Sequence, residues 1–493
     1  MDKEIREYMT VEVDPESNLQ YLITTNRNVW DDFLFHYPCK EYNWGARKYI
    51  TVIREDSLGY DWNETSFKLG RGYAIYILNK FSSILDEQSI KLLNHDIYSD
   101  VEINDNDLDG LYDYQKDTVR ELFSHRRCIA QIPTSSGKTE MIGKITQKFI
   151  NEGKTVLITV GLSKVVDEIK ERVHKFLPDL YIPDYYDDEA QINVINPKGF
   201  ARSDTFNPDD PFLHNVDVVL CDEVSSSTND STWAVFIQVH NEDCLWYGFD
   251  ATAENVNADQ IDIRENLDCI NSEETTYVIA LFGMSWIFSR PTDYRVDIIE
   301  ITSIGLREIS KDMIKESFSE TSIYRDITNF IFSHPEYLRS LEYVMKTYGR
   351  LFIPINNLDY IENIVDHFKD DYSIITITGS GYWSSIEGDI DLPRLKFLTE
   401  ENKVDLVLST AAGFKGLDFR GIPNILLTLG QKAGQVIQFV GRVARQKHFR
   451  VIVITPGGNW KLPIYTRNNI RCLELIESYY RLCNLNYIED KYE

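Results

Sequence analysis

The chain has 493 residues, enough for two or three domains that each bury a core, and its 43% hydrophobic and 26% charged residues suit a globular protein. A formal charge of −27 excludes a surface coated in basic residues and leaves room only for a local cationic groove. No apolar run approaches the roughly 18 residues of a membrane span, "MDKEIREYMTVEVDPESN" has no signal-peptide core, and the 7 cysteines form no CxxC pair, so we expect a cytoplasmic, reduced protein with no membrane, zinc or disulfide framework.

In chain order, residues 1–105 read as a small α+β domain. "YLITTN" and "KYITVIRE" have strand character, "GYAIYILNKFSSIL" is helical, and "DVEINDNDLDG" reads as an acidic solvated linker. Residues 106–295 alternate buried strands with helices: "RCIAQIP", then the helix of "EMIGKITQKFINEG", then "KTVLITV", "SKVVDEIKERVHKFL", "AQINVIN" and "VDVVLCDE". Residues 296–458 repeat the scheme with "GRLFIPIN", "YSIITITG", "VDLVLST", "NILLTL" and "FRVIVIT", separated by helical stretches such as "LDYIENIVDHFKD". Apolar strands alternating with helices predict parallel sheets covered on both faces. The class is therefore α/β, two tandem parallel-sheet lobes preceded by the small α+β domain. Residues 459–493 form a tail ending in a helix, "NNIRCLELIESYYRLCNL".

The chemistry starts at "IPTSSGKT". A loop between a buried strand and a helix converges backbone N–H groups at the positive end of the helix dipole. Ser135, Ser136 and Gly137 keep that backbone accessible, Lys138 supplies charge for β- and γ-phosphates, and Thr139 supplies a hydroxyl for Mg²⁺. Ile132 stands where the general pattern has its first glycine. "VVLCDE" ends a strand in Asp222, a second Mg²⁺ ligand acting mostly through water, and Glu223, which would orient and deprotonate an attacking water. In "QVIQFVGRVARQ", Gln435, Gln438, Gly441, Arg442 and Arg445 put two guanidiniums about one turn apart, suited to a transferring γ-phosphate. The expected cofactors are ATP and Mg²⁺.

Six segments in order across roughly residues 112–445 resemble the superfamily 2 helicases. "LYDYQKDTV" resembles the adenine-reading segment, with Gln115 the implied base contact and Tyr112 a stacking partner. "IPTSSGKT" and "DEVS" resemble motifs I and II, "GFDATAE" motif III through Ala251 and Thr252, "STAAGFKGLDF" motif V through Thr410, Gly416 and Asp418, and "QFVGRVAR" motif VI. The lobes are by this resemblance RecA-like. Two departures stand out: Ser225 ends motif II, and Asp250 occupies the Ser/Thr position of motif III, without the proline that often follows. "HYPCKEYNWGARKYI" and "LGRGYAIYILNKF" resemble the accessory domain of the UvsW-type helicases of tailed bacteriophages, matching at Asn43, Trp44, Gly45, Arg47 and Lys48. Trp44 reads equally as a core aromatic of a small domain; Arg47, Lys48, Lys68 and Arg71 are the candidates for touching a duplex or junction.

The resemblance implies an ATP-driven DNA helicase or translocase that remodels branched DNA in phage replication, recombination or repair: fork regression, Holliday-junction branch migration and R-loop unwinding. Its partners would be single-stranded and branched DNA, bound without sequence preference, with RNA–DNA hybrids as a further substrate, and the protein a monomer. Strand contacts are expected at Ser163 and Lys164, Lys198, Thr378 and Gly379, and Thr410, since polar residues at strand ends suit phosphates. The alternatives are an RNA helicase, the nucleic-acid motor of a restriction or nuclease system, and an ATP-switched DNA-binding protein with little unwinding.

Overall fold

The structure, a computed structural model, describes residues 8–15, 17–26, 29, 39–43, 48–52, 65–133, 136–161, 163–227, 230–251, 278, 281–289, 294–303, 334–355, 357–410, 419, 421–427, 433–444, 447–455, 473, 476–477, 480 and 483–492. It divides into two compact units: Met1–Ile132 with Gly137–Ser289, and Arg290–Glu493 with Pro133–Ser136. The fold is two tandem RecA-like α/β lobes preceded by a small α+β domain.

The N-terminal part holds β1 (Met9–Asp14), β2 (Ser17–Thr25), β3 (Cys39–Asn43), β4 (Lys48–Val52) and β5 (Thr65–Gly70). β1, β2 and β5 form an antiparallel sheet in that order, and β3 pairs antiparallel with β4. Helices α1 (Ala74–Phe81) and α2 (Glu87–Ile97) complete the domain, with Tyr21, Ile23, Tyr73, Ile77 and Leu93 in its core. Asp86 caps α2 by accepting from the Ser89 N–H at 2.7 Å, satisfying one of the orphan donors of its first turn.

Arg71 is not a nucleic-acid contact. It is 1% exposed and donates from Nε to Asp96 at 2.7 Å, from its terminal nitrogens to Asp96 and to the Asn18 carbonyl, while the Tyr21 hydroxyl also donates to Asp96. A charge so deeply placed needs this pairing. Lys68 is engaged too, 2.9 Å from buried Asp14.

The acidic stretch after α2 is docked, not a free linker. Leu108 is 1% exposed in the core of the first lobe, with Val101 and Ile103 packed against that core. Carboxylates face water there while alternate apolar residues turn inward; an acidic run can hide such anchors.

The first lobe runs α3 (Asp113–Phe123), β6 (Arg127–Gln131), α4 (Lys138–Asn151), β7 (Val156–Val160), α5 (Ser163–Phe176), β8 (Ile192–Ile195), β9 (Val218–Asp222), β10 (Leu245–Asp250) and β11 (Trp286–Phe288). Among the described residues these strands form one parallel sheet in the order β11–β6–β10–β9–β7–β8. β6, β7, β8, β9 and β10 are buried along their whole length, as a doubly covered sheet requires. β10 and β11 were not among the strands expected.

The N-terminal sheet belongs to the same unit as this lobe. Leu19 of β2 lies in the lobe's core with Trp246 and Phe282, and Asn18 donates to the His240 carbonyl. The Arg127 guanidinium, 5.3 Å from the Trp246 ring, is pushed down to about 10 by burial and by neighbouring Arg71.

The second unit contains β12 (Arg295–Ser303), α6 (Pro335–Tyr348), β13 (Leu351–Pro354), α7 (Leu358–Phe368), β14 (Ile374–Thr378), β15 (Gly381–Ser384), β16 (Gly388–Ile390), α8 (Leu392–Glu400), β17 (Leu406–Ser409), β18 (Asn424–Leu427), α9 (Ala433–Val443), β19 (His448–Thr455) and β20 (Asn484–Tyr492). The sheet order is β16–β15–β14–β17–β13–β18–β19–β12–β20, parallel except for the antiparallel β14–β15–β16 meander. One core lies against α8 and α9, the other against α6 and α7. The helical reading of the tail is corrected at its end, where β20 pairs in parallel with β12 from Asn484 to Tyr492. Its pattern is half-exposed throughout, so an edge strand with charged residues lacks the apolar run that announces a central one.

Candidate nucleotide site

The site is built at the C-terminal ends of β6, β9 and β10, where open parallel sheets bind ligands. β6 leads through Ile132 and Pro133 toward α4, and the Ile132 N–H donates to the Asp250 carbonyl at 2.7 Å, fastening the start of the loop to β10. Thr134 and Ser135 lie outside the described residues. Ser136 is buried and its N–H donates to the Pro133 carbonyl at 3.1 Å. Gly137 then begins α4 with φ +79°, a left-handed conformation that glycine enters without a Cβ clash. A Cβ there would also stand 2.2 Å from Gln115 Nε2. Gln115 is 2% exposed, and its Oε1 accepts from the Tyr112 N–H at 2.9 Å, closing the first turn of α3. The structure thus places Gln115 behind the phosphate loop. Tyr112 is 63% exposed, its ring stacked on Tyr114 at 5.9 Å.

Lys138, the first residue of α4, points across to β9, with Nζ 2.9 Å from Asp222 Oδ1. Burial pulls the ammonium down, but Asp222, Glu223 and Asp250 outweigh it and hold Lys138 above its ordinary value. Asp222 is raised, by burial against the opposing pull of Lys138, with Glu223 and Asp250 adding to the rise. Glu223 carries φ +52°, rare for a residue with a Cβ and a form of strain that collects at functional turns. Ser227 supports the turn from behind, its hydroxyl donating to the Asp222 carbonyl at 2.9 Å. Thr139 is half-exposed in the first turn of α4.

Asp250 was placed in motif III only as a departure. The structure makes it a member of this charge cluster, 1% exposed at the end of β10. Its signal was available: an acidic residue ending a six-residue apolar run beside a phosphate-loop strand.

Asp222, the Thr139 hydroxyl and a helix N-terminus are hard oxygen donors and N–H groups that fit Mg²⁺ with a polyphosphate. Among the described residues no group of three His, Cys, Asp or Glu side chains is arranged to hold a metal ion.

The remaining expected residues fall in several places. Arg47, Thr252, Gly416, Asp418 and Arg445 lie outside the described residues. Lys48 opens β4 and Gln435 lies on α9, each described in its backbone only, as are Lys164 and Ser225. Gln438 and Arg442 are half-buried, four residues apart on α9 and so on one face. Ser163 is exposed just past β7, and Lys198 is exposed just past β8, with Asn196 capping its turn; the β7–β8 pairing puts both at one edge of the first sheet. In the second sheet Thr378 ends β14 and Thr410 follows directly on its paired strand β17. The Thr410 hydroxyl is buried without a hydrogen-bond partner among the described residues, whereas Thr378 Oγ1 shares a hydrogen bond with Ser380 Oγ at 2.7 Å. Gly379 is exposed in that turn.

Residues 109–255 match the family described as Type III restriction enzyme, res subunit. That span contains the phosphate loop, Asp222, Glu223 and Asp250. The solved structures to which the chain is similar include the following. UvsW of bacteriophage T4 is 15% identical with a TM-score of 0.41, covering 98% of this chain and 99% of its own. Dbp5 of S. cerevisiae, bound to RNA and ADP BeF3, is 12% identical with a TM-score of 0.44, covering 78% and 95%. The DUF1998 helicase MrfA, bound to DNA and AMPPNP, is 14% identical with a TM-score of 0.49, covering 75% and 51%. No curated protein matches the chain. Among the described residues no helix is long and apolar enough to cross a membrane.

Proposed function

We propose that this chain is an ATP-dependent DNA helicase or translocase that remodels branched DNA in phage replication, recombination or repair. The observation that carries the reading is the Lys138–Asp222 pair beside the Gly137 turn, set at the ends of β6 and β9. The loop N–H groups and Lys138 would hold the phosphates. Asp222 and Thr139 would hold Mg²⁺, which supplies charge neutralisation to the transferring phosphoryl group. Glu223 would accept the proton of the attacking water, its strained backbone fixing the carboxylate's direction. Gln115 would read the base while bracing Gly137, and Tyr112 offers an exposed ring for stacking. Arg442, Arg445 and Gln438 are assigned to the γ-phosphate, and Gly416 and Asp418 to nucleotide coupling, by the motif resemblance.

DNA contacts are proposed at Ser163, Lys164, Lys198 and Thr410, whose positions at sheet edges suit sequence-independent phosphate binding. Arg47 and Lys48 are proposed to meet the branch. The choice of DNA over RNA rests on the likeness of the N-terminal segment to the phage accessory domain.

The test is steady-state ATPase activity of the full chain with no nucleic acid, single-stranded DNA, duplex, a four-way junction and RNA at one salt concentration. Strongest stimulation by the junction is expected. Stimulation by RNA alone replaces the substrate, and no stimulation by any nucleic acid removes the motor reading.

A further inference from the structure

Away from the nucleotide site, the β14–β15–β16 meander and helix α7 enclose a groove of about 760 Å³ in the second unit. The strand register pairs Thr376 with Trp383 and Trp383 with Asp389. These three therefore stand in one row on one face of the meander. Helix α7 forms the opposite wall, with Ile361 buried and Glu362 and Asp366 exposed. The groove is lined by three carboxylates and by no lysine or arginine. Asp366 pairs with Lys369 at 2.8 Å at the surface, where such pairs are weakly held.

Two further observations point to an occupant. Thr376 is only 9% exposed and is one of the residues lining the groove. β16 also ends the sheet order, so no strand among the described residues pairs with its outer side.

A half-buried indole attracts a cation to its face, and carboxylates accept charge-assisted hydrogen bonds from an ammonium or guanidinium. An edge strand beside such a pocket accepts an extended chain whose alternate side chains point inward. We propose that this groove docks an extended segment of a partner protein carrying lysine or arginine. The cation would lie over Trp383 between Glu362 and Asp389, with the backbone running along β16. A nucleic-acid strand is disfavoured, since its phosphates would meet three like charges. Thr378, which lines the groove, then serves this face instead of a DNA strand. The inference does not depend on the nucleotide chemistry.

The probe is a fluorescein-labelled decapeptide of alternating lysine and valine, titrated with the full chain by anisotropy, against a glutamate–valine counterpart and a labelled oligo-dT. Saturable binding of the lysine peptide alone among the two peptides is expected. Glu362→Lys with Asp389→Lys, both exposed positions, should weaken it at least about tenfold. Asp188→Lys with Glu189→Lys, an equal charge change on an exposed loop of the first unit, should change it less than about twofold. Absence of saturable binding at millimolar peptide overturns the proposal. So does an equal loss in both double variants, which would be bulk attraction to an acidic protein. A groove variant that alters oligo-dT binding and spares the peptide would assign the groove to nucleic acid.

Discussion

Single residues in this chain divide into those that hold charge for chemistry and those that hold it for the fold. Lys138 faces Asp222, Glu223 and Asp250, so its removal leaves three carboxylates with no cation between them. Lys138→Ala is expected to abolish ATP hydrolysis, and Glu223→Gln to stop turnover while nucleotide binding, followed with a fluorescent analogue, persists. Robust turnover in the lysine variant would remove the phosphate-loop assignment. Arg71 and Asp96 are the opposite case. Burial pushes the Asp96 carboxyl upward, but hydrogen bonds from His95 and Arg71 and the Arg71 charge prevail and hold it well below the usual carboxylate range. A carboxylate whose folded value lies below its unfolded value of about 3.9 stabilises fully above about pH 5 and loses that contribution as pH falls through the folded value. Asp96→Asn should cost about 3–5 kcal/mol at neutral pH, by leaving Arg71 without its counter-charge. The gap in melting temperature between variant and parent should close on acidification. A gap constant from pH 7 to pH 3 would mean that the ion pair contributes nothing.

Among whole elements, β20 shows how an edge strand can be structural. It covers β12 over its full length, and Asp490 accepts from the Tyr343 and Tyr348 hydroxyls at 2.9 and 2.8 Å, tying the strand to α6. Ending the chain after Cys483 would expose β12, a largely buried strand, as a new sheet edge. Loss of soluble protein is the expected outcome; Asp490→Ala should retain the fold and cost about 1–3 kcal/mol in chemical denaturation. Wild-type stability in both would make β20 an ornament. The elements legible in the sequence were those whose pattern matches their burial: β6, β7, β9 and the second lobe's central strands are apolar runs between turn signals. β20 was not, because "NLNYIEDKY" breaks its apolar positions with two asparagines and the charged run Glu489, Asp490 and Lys491. β15 and β16 were hidden by their brevity, and β10 by the motif letters at its end. At the site, the Gly-Lys-Thr and Asp-Glu residues were readable because phosphate and Mg²⁺ chemistry demand those types. The roles of Gln115 as a brace and Asp250 as a third charge needed the neighbouring strands in place.

For the molecule as a whole, the N-terminal domain and the first lobe share one interior, which changes how the accessory role can be tested. Leu19 from β2 fills part of the lobe's core beside Trp246, and buried Arg127 lies within reach of Arg71, Asp96 and Tyr21. Burying one leucine contributes about 1.5–3 kcal/mol, so deleting residues 1–105 would open that core and leave Arg127 facing the cut. We expect the truncated chain to lose stability before any loss of branch recognition can be read. The role is better tested in the intact protein with Arg47→Ala and Lys48→Ala together. Stimulation of ATPase activity by a four-way junction should fall about tenfold at fixed salt, with stimulation by single-stranded DNA held within about twofold. Because the chain carries −27 formal charges, any basic patch that meets DNA works against a repulsive background, and losing two cations should be felt most where the most phosphates converge. Equal losses on both substrates would make these residues general phosphate contacts, and junction preference would then have to arise in the lobes.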